Sequence, residues 1–279
     1  MSASAEDKPT IVIEAGRTEL HYWRDLWRYR ELFYFLAWRD VLVRYKQTVI
    51  GILWALIRPL VTIVVFTVVF GRLAKLPSEG APYPVLVCAA MLPWQFFATA
   101  FAEAANSVVA STNLISKVYF PRLIVPASAV IVSLVDFLIS IAILAGLMIW
   151  YRVVPDWRVL ALPGFILIAL TAALGAGLWV AALNVRYRDF RHLVPFLVQI
   201  GLFVSPVGFS SSIVPERWRL LYSLNPMVGV IDGFRWAILR TDTAIYVPGF
   251  LVSVLLVMLV FASGLTYFRK TERTFADVI

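Results

Sequence analysis

Cysteine, histidine and charge are all scarce in this chain. Cys88 is its single cysteine, so neither an intramolecular disulfide nor a thiolate-rich metal site is available. The two histidines, His21 and His192, both stand near charged stretches and are a poor basis for a zinc site. There is no G-x-x-x-x-G-K-[ST] loop to wrap phosphates in backbone amides and no dinucleotide-type glycine fingerprint. The chain is therefore expected to carry no catalytic centre and no cofactor, and to hydrolyse no nucleotide itself. Internal repeats and low-complexity tracts are also missing. No secretory signal is expected, because the first apolar stretch begins far from the N-terminus and is too long for an h-region.

Apolar residues are what the chain has in abundance. Of 279 residues 61% are hydrophobic and 15% charged, and the mean hydropathy is +0.83, which points to the bilayer as solvent. A spanning helix needs about 20 mostly apolar residues. Six stretches qualify, at 49–72, 84–105, 124–150, 160–184, 193–210 and 246–268, which predicts an all-α integral membrane protein. The third is expected to start as an interfacial piece ahead of a helix break at Pro126. With both termini on the inner side, sixteen Lys and Arg fall on inner segments and eight on outer ones, so the positive-inside rule favours that topology. The net charge of +8 then belongs to the membrane surface, and no nucleic-acid partner is expected.

Charges inside apolar stretches are costly and therefore informative. Arg58 precedes Pro59 in the first stretch, Asp136 lies mid-way along the third, and Glu103 sits towards the end of the second. At about 1.5 Å per residue, Arg58 and Asp136 both lie roughly 15–20 Å from the inner boundary. They are expected either to pair or, with Arg44 and Lys46, to mark the inner entrance of a pathway. Snorkelling or a purely structural ion pair is the plainer reading of Arg58.

Three further segments carry patterns. Residues 22–46 place Trp23, Leu26, Trp27, Phe33, Tyr34, Ala37, Trp38, Val41 and Tyr45 at helical spacing, which predicts an amphipathic helix lying along the membrane surface. In 111-STNLISKVYFPRLIVP-126, Asn113 is expected to cap a short helix stopped by Pro121, with Leu114, Ile115, Val118 and Tyr119 as an apolar patch that lies back on lipid or enters a groove of another protein. The stretch 211–242 is too polar for a span and too apolar for a free loop. It predicts two short helices dipping into the outer leaflet, broken at Asn225-Pro226 and again near Gly233, beside a cavity. Many of the 10 Trp, 11 Tyr and 19 Phe stand at helix ends, but Trp94, Phe96, Phe97, Phe203 and Phe209 lie deeper.

Taken together, 37-AWRDVLVRYKQTVIGILWALIRPL-60, 113-NLISKVYFPRLIVP-126, 225-NPMVGVIDGFRWAIL-239 and 272-ERTFADVI-279 resemble the membrane subunit of a type-2 ABC exporter, in the O-antigen and lipopolysaccharide branch of bacterial polysaccharide export. The resemblance runs from about residue 20 onward. It implies a variable extension over 1–21, an interface helix over 22–48 and a six-helix transmembrane domain over 49–279. Within that domain it implies a coupling helix at 113–122 (Leu114, Ile115, Val118, Tyr119, Phe120) and a periplasmic gate at 213–240 (Tyr222, Asn225, Pro226, Phe234, Arg235, Trp236). The implied assembly is a homodimer with two copies of a separate ABC ATPase, which brings the ATP and Mg. Helices one and five would line the channel, with Trp54, Phe66, Phe70, Phe203 and Phe209 as its aromatics. The implied cargo is an undecaprenyl-diphosphate-linked glycan, crossing the bacterial inner membrane. A related permease for capsule, teichoic acid or smaller lipid-linked cargo is the near alternative.

Readings from other classes fit less well. A polyprenyl-lipid transferase needs a carboxylate pair for metal-diphosphate chemistry, and the acidic residues here stand apart. An ion-coupled transporter usually shows internal repeats.

Overall fold

The computed structural model describes residues 19–46, 49–78, 80–187, 189–239 and 245–275, without the side chains at 19–21, 49–55 and 58. Eleven α-helices appear among the described residues. In chain order they are α1 (Glu19–Arg28), α2 (Arg30–Lys46), α3 (Val49–Phe66), α4 (Tyr83–Ala110), α5 (Thr112–Ile115), α6 (Ile124–Trp150), α7 (Leu162–Arg186), α8 (Phe190–Val204), α9 (Glu216–Tyr222), α10 (Pro226–Leu239) and α11 (Val247–Thr271). A π-helical stretch, Thr67–Leu73, carries α3 on for seven more residues. Proline in the first turn opens α4, α7 and α11, where its missing N–H costs nothing.

Among the described residues, four helical stretches are long and apolar enough to cross a membrane: Tyr83–Ala110, Ile124–Trp150, Trp157–Arg186 and Val247–Thr274. Pro59–Leu73 and Phe190–Val204 are shorter apolar helices. The most apolar part of α4 is 78% buried within the chain, against 22–28% for the other three, which makes α4 the hub of the bundle. It packs along α6 and α7, and α11 packs on the far side of α7. Small residues permit these approaches. A Cβ on Gly177 would lie 2.5 Å from that of Ala104 on α4, and one on Gly264 would lie 2.3 Å from the Gly175 carbonyl oxygen on α7. Because backbone stands in the way, Gly264→Leu is expected to push α11 off α7 and to cost about 2 kcal/mol or more. The check is thermal unfolding of the detergent-purified variant, which should fall well below wild type.

Two apolar clusters hold the bundle together, the larger running along most of α4 and the smaller closing the end where α4 stops. The larger one joins α4, α6, α7, α8 and α10, and includes Phe96, Phe137, Phe165 and Phe234. The smaller gathers Leu36 of α2, Val108, Ile115, Phe120, Ile124, Phe268 and Phe275.

Several local expectations are corrected. Pro126 breaks nothing, because it falls in the first turn of α6. Residues 30–46 do not simply lie flat on a surface, since α2 packs lengthwise on α6 and buries Leu36 and Ala37 there. The aromatic stripe is divided as a result: Trp27, Tyr34, Phe35 and Trp38 stay exposed while Leu26, Leu32 and Phe33 turn to the smaller cluster. The helix after Ser111 is a single turn without a side-chain cap and ends well before Pro121, so Asn113 caps nothing. Gly233 does not interrupt α10, which runs unbroken past it, and its bare Cα lets the Phe165 ring approach. Finally, α8 ends at Val204, so 205–210 lies outside the helix expected over 193–210.

Candidate functional site

The first centre is the loop between α4 and α6. Its residues divide between core and surface. Ile115 and Phe120 are each only 4% exposed and belong to the chain's own smaller cluster, and Leu114 packs against it. Val118 (49% exposed) and Tyr119 (68%) project outward as the tip. The expected patch of Leu114, Ile115, Val118 and Tyr119 is thus narrowed to its last two members, because the first two anchor the loop.

Helix α1 and the residues that follow α11 clasp this anchor. The Tyr22 hydroxyl of α1 donates to Glu272 Oε2 at 3.2 Å, and the Arg269 guanidinium stacks 4.5 Å from the Tyr22 ring centre. Phe275 is fully buried edge-on against Phe268, and Arg122 of the loop lies over its ring. Burial, reinforced by the Glu272 carboxylate, pushes the Tyr22 phenol far above its ordinary value, so it remains a donor at any physiological pH. None of Tyr22, Arg269 or Glu272 was assigned a role from sequence, although 272-ERTFADVI-279 was one of the quoted motifs.

The second centre lies where α2 ends. Arg44 reaches Glu103 Oε1 of α4 with one guanidinium nitrogen and Asp136 Oδ2 of α6 with the other, both at 3.3 Å. The neighbouring Tyr45 hydroxyl donates to the other Asp136 oxygen. Asp136 therefore pairs with Arg44, a residue named as part of the inner entrance but not as this partner. Lys46 is exposed beside it. The Arg58 side chain, and with it the expected Arg58–Asp136 pair, lies outside the described residues, as does that of Trp54. Arg44 separates two carboxylates, so Arg44→Gln leaves them facing one another, whereas the double variant with Asp136→Asn relieves most of that penalty. A double-mutant cycle on thermal unfolding is expected to give a coupling of about 1 kcal/mol; additive losses would mean separate roles.

The third centre occupies the opposite end, built from 205–214, α9 and α10. Arg235 is 4% exposed and donates to the carbonyls of Phe209 (2.8 Å), Val207 (3.1 Å) and Leu86 (3.5 Å). Arg219 donates to the carbonyls of Val214 and Ser212 at 3.0 and 3.2 Å. These two guanidinium groups strap the segment between α8 and α9 onto the bundle by holding its carbonyls, and Arg235 also reaches that of Leu86 on α4. The Asn225 amide donates to Ser205 Oγ at 2.9 Å, while its oxygen accepts from the Met227 N–H at 3.0 Å, which caps α10 with Pro226 in the next position. Tyr222 donates to the Val204 carbonyl at the end of α8 at 2.9 Å. Burial, helped by the Asp232 carboxylate, pushes its phenol up as well. Phe234 is buried between Phe137 and Phe165, and Trp236 meets Trp157 edge-on with Arg158 over its ring. A cavity of about 280 Å³ opens among these elements. Arg219 and Asp232 were not singled out from sequence.

The expected channel aromatics fall into two groups. Phe66 at the end of α3 and Phe70 on its π-helical extension are paired at 5.3 Å and press on Gly208, next to Phe209. Phe203 stands apart and is 65% exposed on α8. Both helices leave wide apolar strips uncovered, with Leu60, Val61, Val64 and Val65 on α3 and Phe196, Leu197, Ile200 and Phe203 on α8 all exposed.

Residues 31–239 match the family described as "ABC-2 type transporter". Among curated proteins the chain is similar to the O-antigen export system permease protein RfbA of Myxococcus xanthus, 30% identical over 262 residues that cover 92% of this chain and 98% of that one. It is also similar to the RfbA permease of Klebsiella pneumoniae, 24% identical over 86% of this chain and 92% of that one. The polysialic acid transport protein KpsM of Escherichia coli is 23% identical over 72% of this chain and 78% of its own length.

Proposed function

The chain belongs to the ABC-2 type transporter family, and on that premise we propose that it is the membrane-spanning permease subunit of an ATP-driven polysaccharide exporter in the bacterial inner membrane. Its cargo is a lipid-linked glycan of the O-antigen type, carried on undecaprenyl diphosphate. The similarity to RfbA permeases over nearly the full chain supports that cargo, and the more distant similarity to KpsM keeps capsule-type glycans as the alternative.

In this reading α3 with its π-helical extension and α8 complete a set of six spans, with both termini in the cytoplasm. One observation carries the pathway: α3 and α8 are lightly packed on the bundle and expose long apolar strips. Two copies meeting through these strips enclose a channel, and aromatic side chains such as Phe203 give a sugar chain apolar faces to slide along without hydrogen bonds to hold it. The Val118–Tyr119 tip docks on an ABC ATPase, one on each of two protomers, and ATP and Mg enter through that partner. Because Ile115 and Phe120 fix the tip to α2, α6 and α11, a push on it moves those helices rather than a slack loop. Lys46 and Arg58 stand at the inner entrance, where a diphosphate needs positive charge, while Arg44 is already matched by Glu103 and Asp136. The segment 213–240 forms the outer gate, tied to the end of α8 by Tyr222 and Arg235.

Cysteines placed one at a time along 213–224 in a Cys88→Ala background test this arrangement. They are expected to react from the periplasmic side with a membrane-impermeant thiol reagent, at helical spacing and to an extent that changes when the ATPase is trapped with nucleotide. Labelling from the cytoplasm would overturn the topology, and reactivity indifferent to nucleotide would remove the gating role.

A further inference from the structure

The cavity of about 280 Å³ lies between the 210–212 turn, α9, α10 and the start of α11. Its lining mixes hydrogen-bonding types. Asp232 brings a carboxylate, Ser211 and Tyr222 bring hydroxyls, and Arg219 a guanidinium, while Trp236 and Phe250 supply aromatic carbon. A wall with so many polar groups suits a lipid tail poorly, since each would be desolvated without return. A free anion fits poorly too, because Asp232 faces the same space and both arginines already donate to backbone carbonyls. The volume falls just below that of drug-sized pockets, which run from about 300 to 1,000 Å³, so it admits one ring rather than a chain. A neutral polyol ring combines the matching features: hydroxyls that both donate and accept around its edge, and a C–H face that packs on aromatic carbon.

We propose that this cavity is a binding site for a single pyranose unit of the exported glycan, on the periplasmic side of the gate. The proposal rests on the exporter reading for where the sugar comes from, but the binding itself does not require transport. Its consequence for the gate follows from shared residues. Tyr222 and Arg235, which line the cavity, also hold the carbonyls of Val204, Val207 and Phe209 where α8 ends. A sugar oxygen that accepts from the Tyr222 hydroxyl takes the place of the Val204 carbonyl, so occupancy in that mode loosens the end of α8 on the channel. An emerging glycan thereby reports its presence to the helix beside it.

The test uses the purified full-length permease in nanodiscs and free monosaccharides as probes: glucose, galactose, mannose, rhamnose and N-acetylglucosamine, each at millimolar concentration. Saturation-transfer NMR is expected to show at least one of them bound to wild type. Asp232→Asn should reduce that transfer about tenfold, and so should Ser211→Trp, which sets an indole into the cavity wall at a residue that takes no part in the Arg235 strap. Both variants are compared by thermal unfolding, and if Asp232→Asn fails to fold, Ser211→Trp decides. Absence of transfer from every sugar to wild type, or equal transfer in wild type and Ser211→Trp, overturns the site. If transfer is absent while ATP-driven glycan export persists, the cavity proposal falls and the exporter reading stands. If binding behaves as expected but no glycan is exported, the sugar site stands and the exporter reading falls.

Discussion

Val118→Asp combined with Tyr119→Asp is expected to abolish co-purification with the ABC ATPase, and with it export, while the permease still inserts and unfolds at the wild-type temperature. The two side chains are about half and two-thirds exposed, so the chain itself loses little when they become charged. A partner groove that receives them loses apolar contact and must desolvate two carboxylates, and each 1.4 kcal/mol so lost weakens binding about tenfold. The contrasting variant is Phe120→Asp. Phe120 is buried in the cluster that holds α2, α6 and α11 together, so an unpaired carboxylate there is expected to unfold that end of the protein rather than merely release the ATPase. Pull-down and thermal unfolding measured together separate the two effects. Normal export from the Val118–Tyr119 variant would remove the coupling role from this loop.

Arg235→Leu is expected to be among the most damaging single substitutions at the opposite end. The guanidinium is almost wholly buried and serves three backbone carbonyls, two of them in the non-helical segment after α8. Hydrogen bonds from a charged donor contribute about 1.5–3 kcal/mol each, so the loss is expected to exceed about 3 kcal/mol even after the segment relaxes. Arg235→Lys keeps the charge but not the planar fork, and is expected to recover only part of it. Thermal unfolding of both variants checks this, with limited proteolysis in the 205–214 segment as the local readout. Wild-type stability in Arg235→Leu would show that the strap is dispensable.

Much of the bundle was legible because span length and hydropathy are local properties. The stretches at 124–150 and 246–268 agree closely with α6 and α11. The break at Asn225-Pro226 was also legible, since proline preceded by a capping residue starts a helix wherever it lies. Gly233 misled because glycine is as useful for close packing as for a break, and only the Phe165 ring distinguishes the two. Arg44 was singled out but without its partners, which lie 59 and 92 positions away on two other helices. An amphipathic pattern cannot say whether its apolar side meets lipid or another helix, and α2 meets α6. The inward turn of Ile115 and Phe120 was hidden for the same reason: spacing gives a patch, not which of its members the chain keeps for itself.

On the proposed reading this chain is the path by which an ATPase drives a lipid-linked glycan across the membrane. The direct measurement places the permease and its ABC ATPase together in sealed vesicles, with undecaprenyl-diphosphate-linked glycan in the leaflet on the ATPase side and a glycan-specific lectin enclosed on the other. ATP is expected to bring the glycan to the lectin, and neither a non-hydrolysable analogue nor the Val118–Tyr119 aspartate variant should do so. Glycan reaching the lectin at the same rate without ATP, or never reaching it with an assembled and ATP-hydrolysing complex, would contradict the claim.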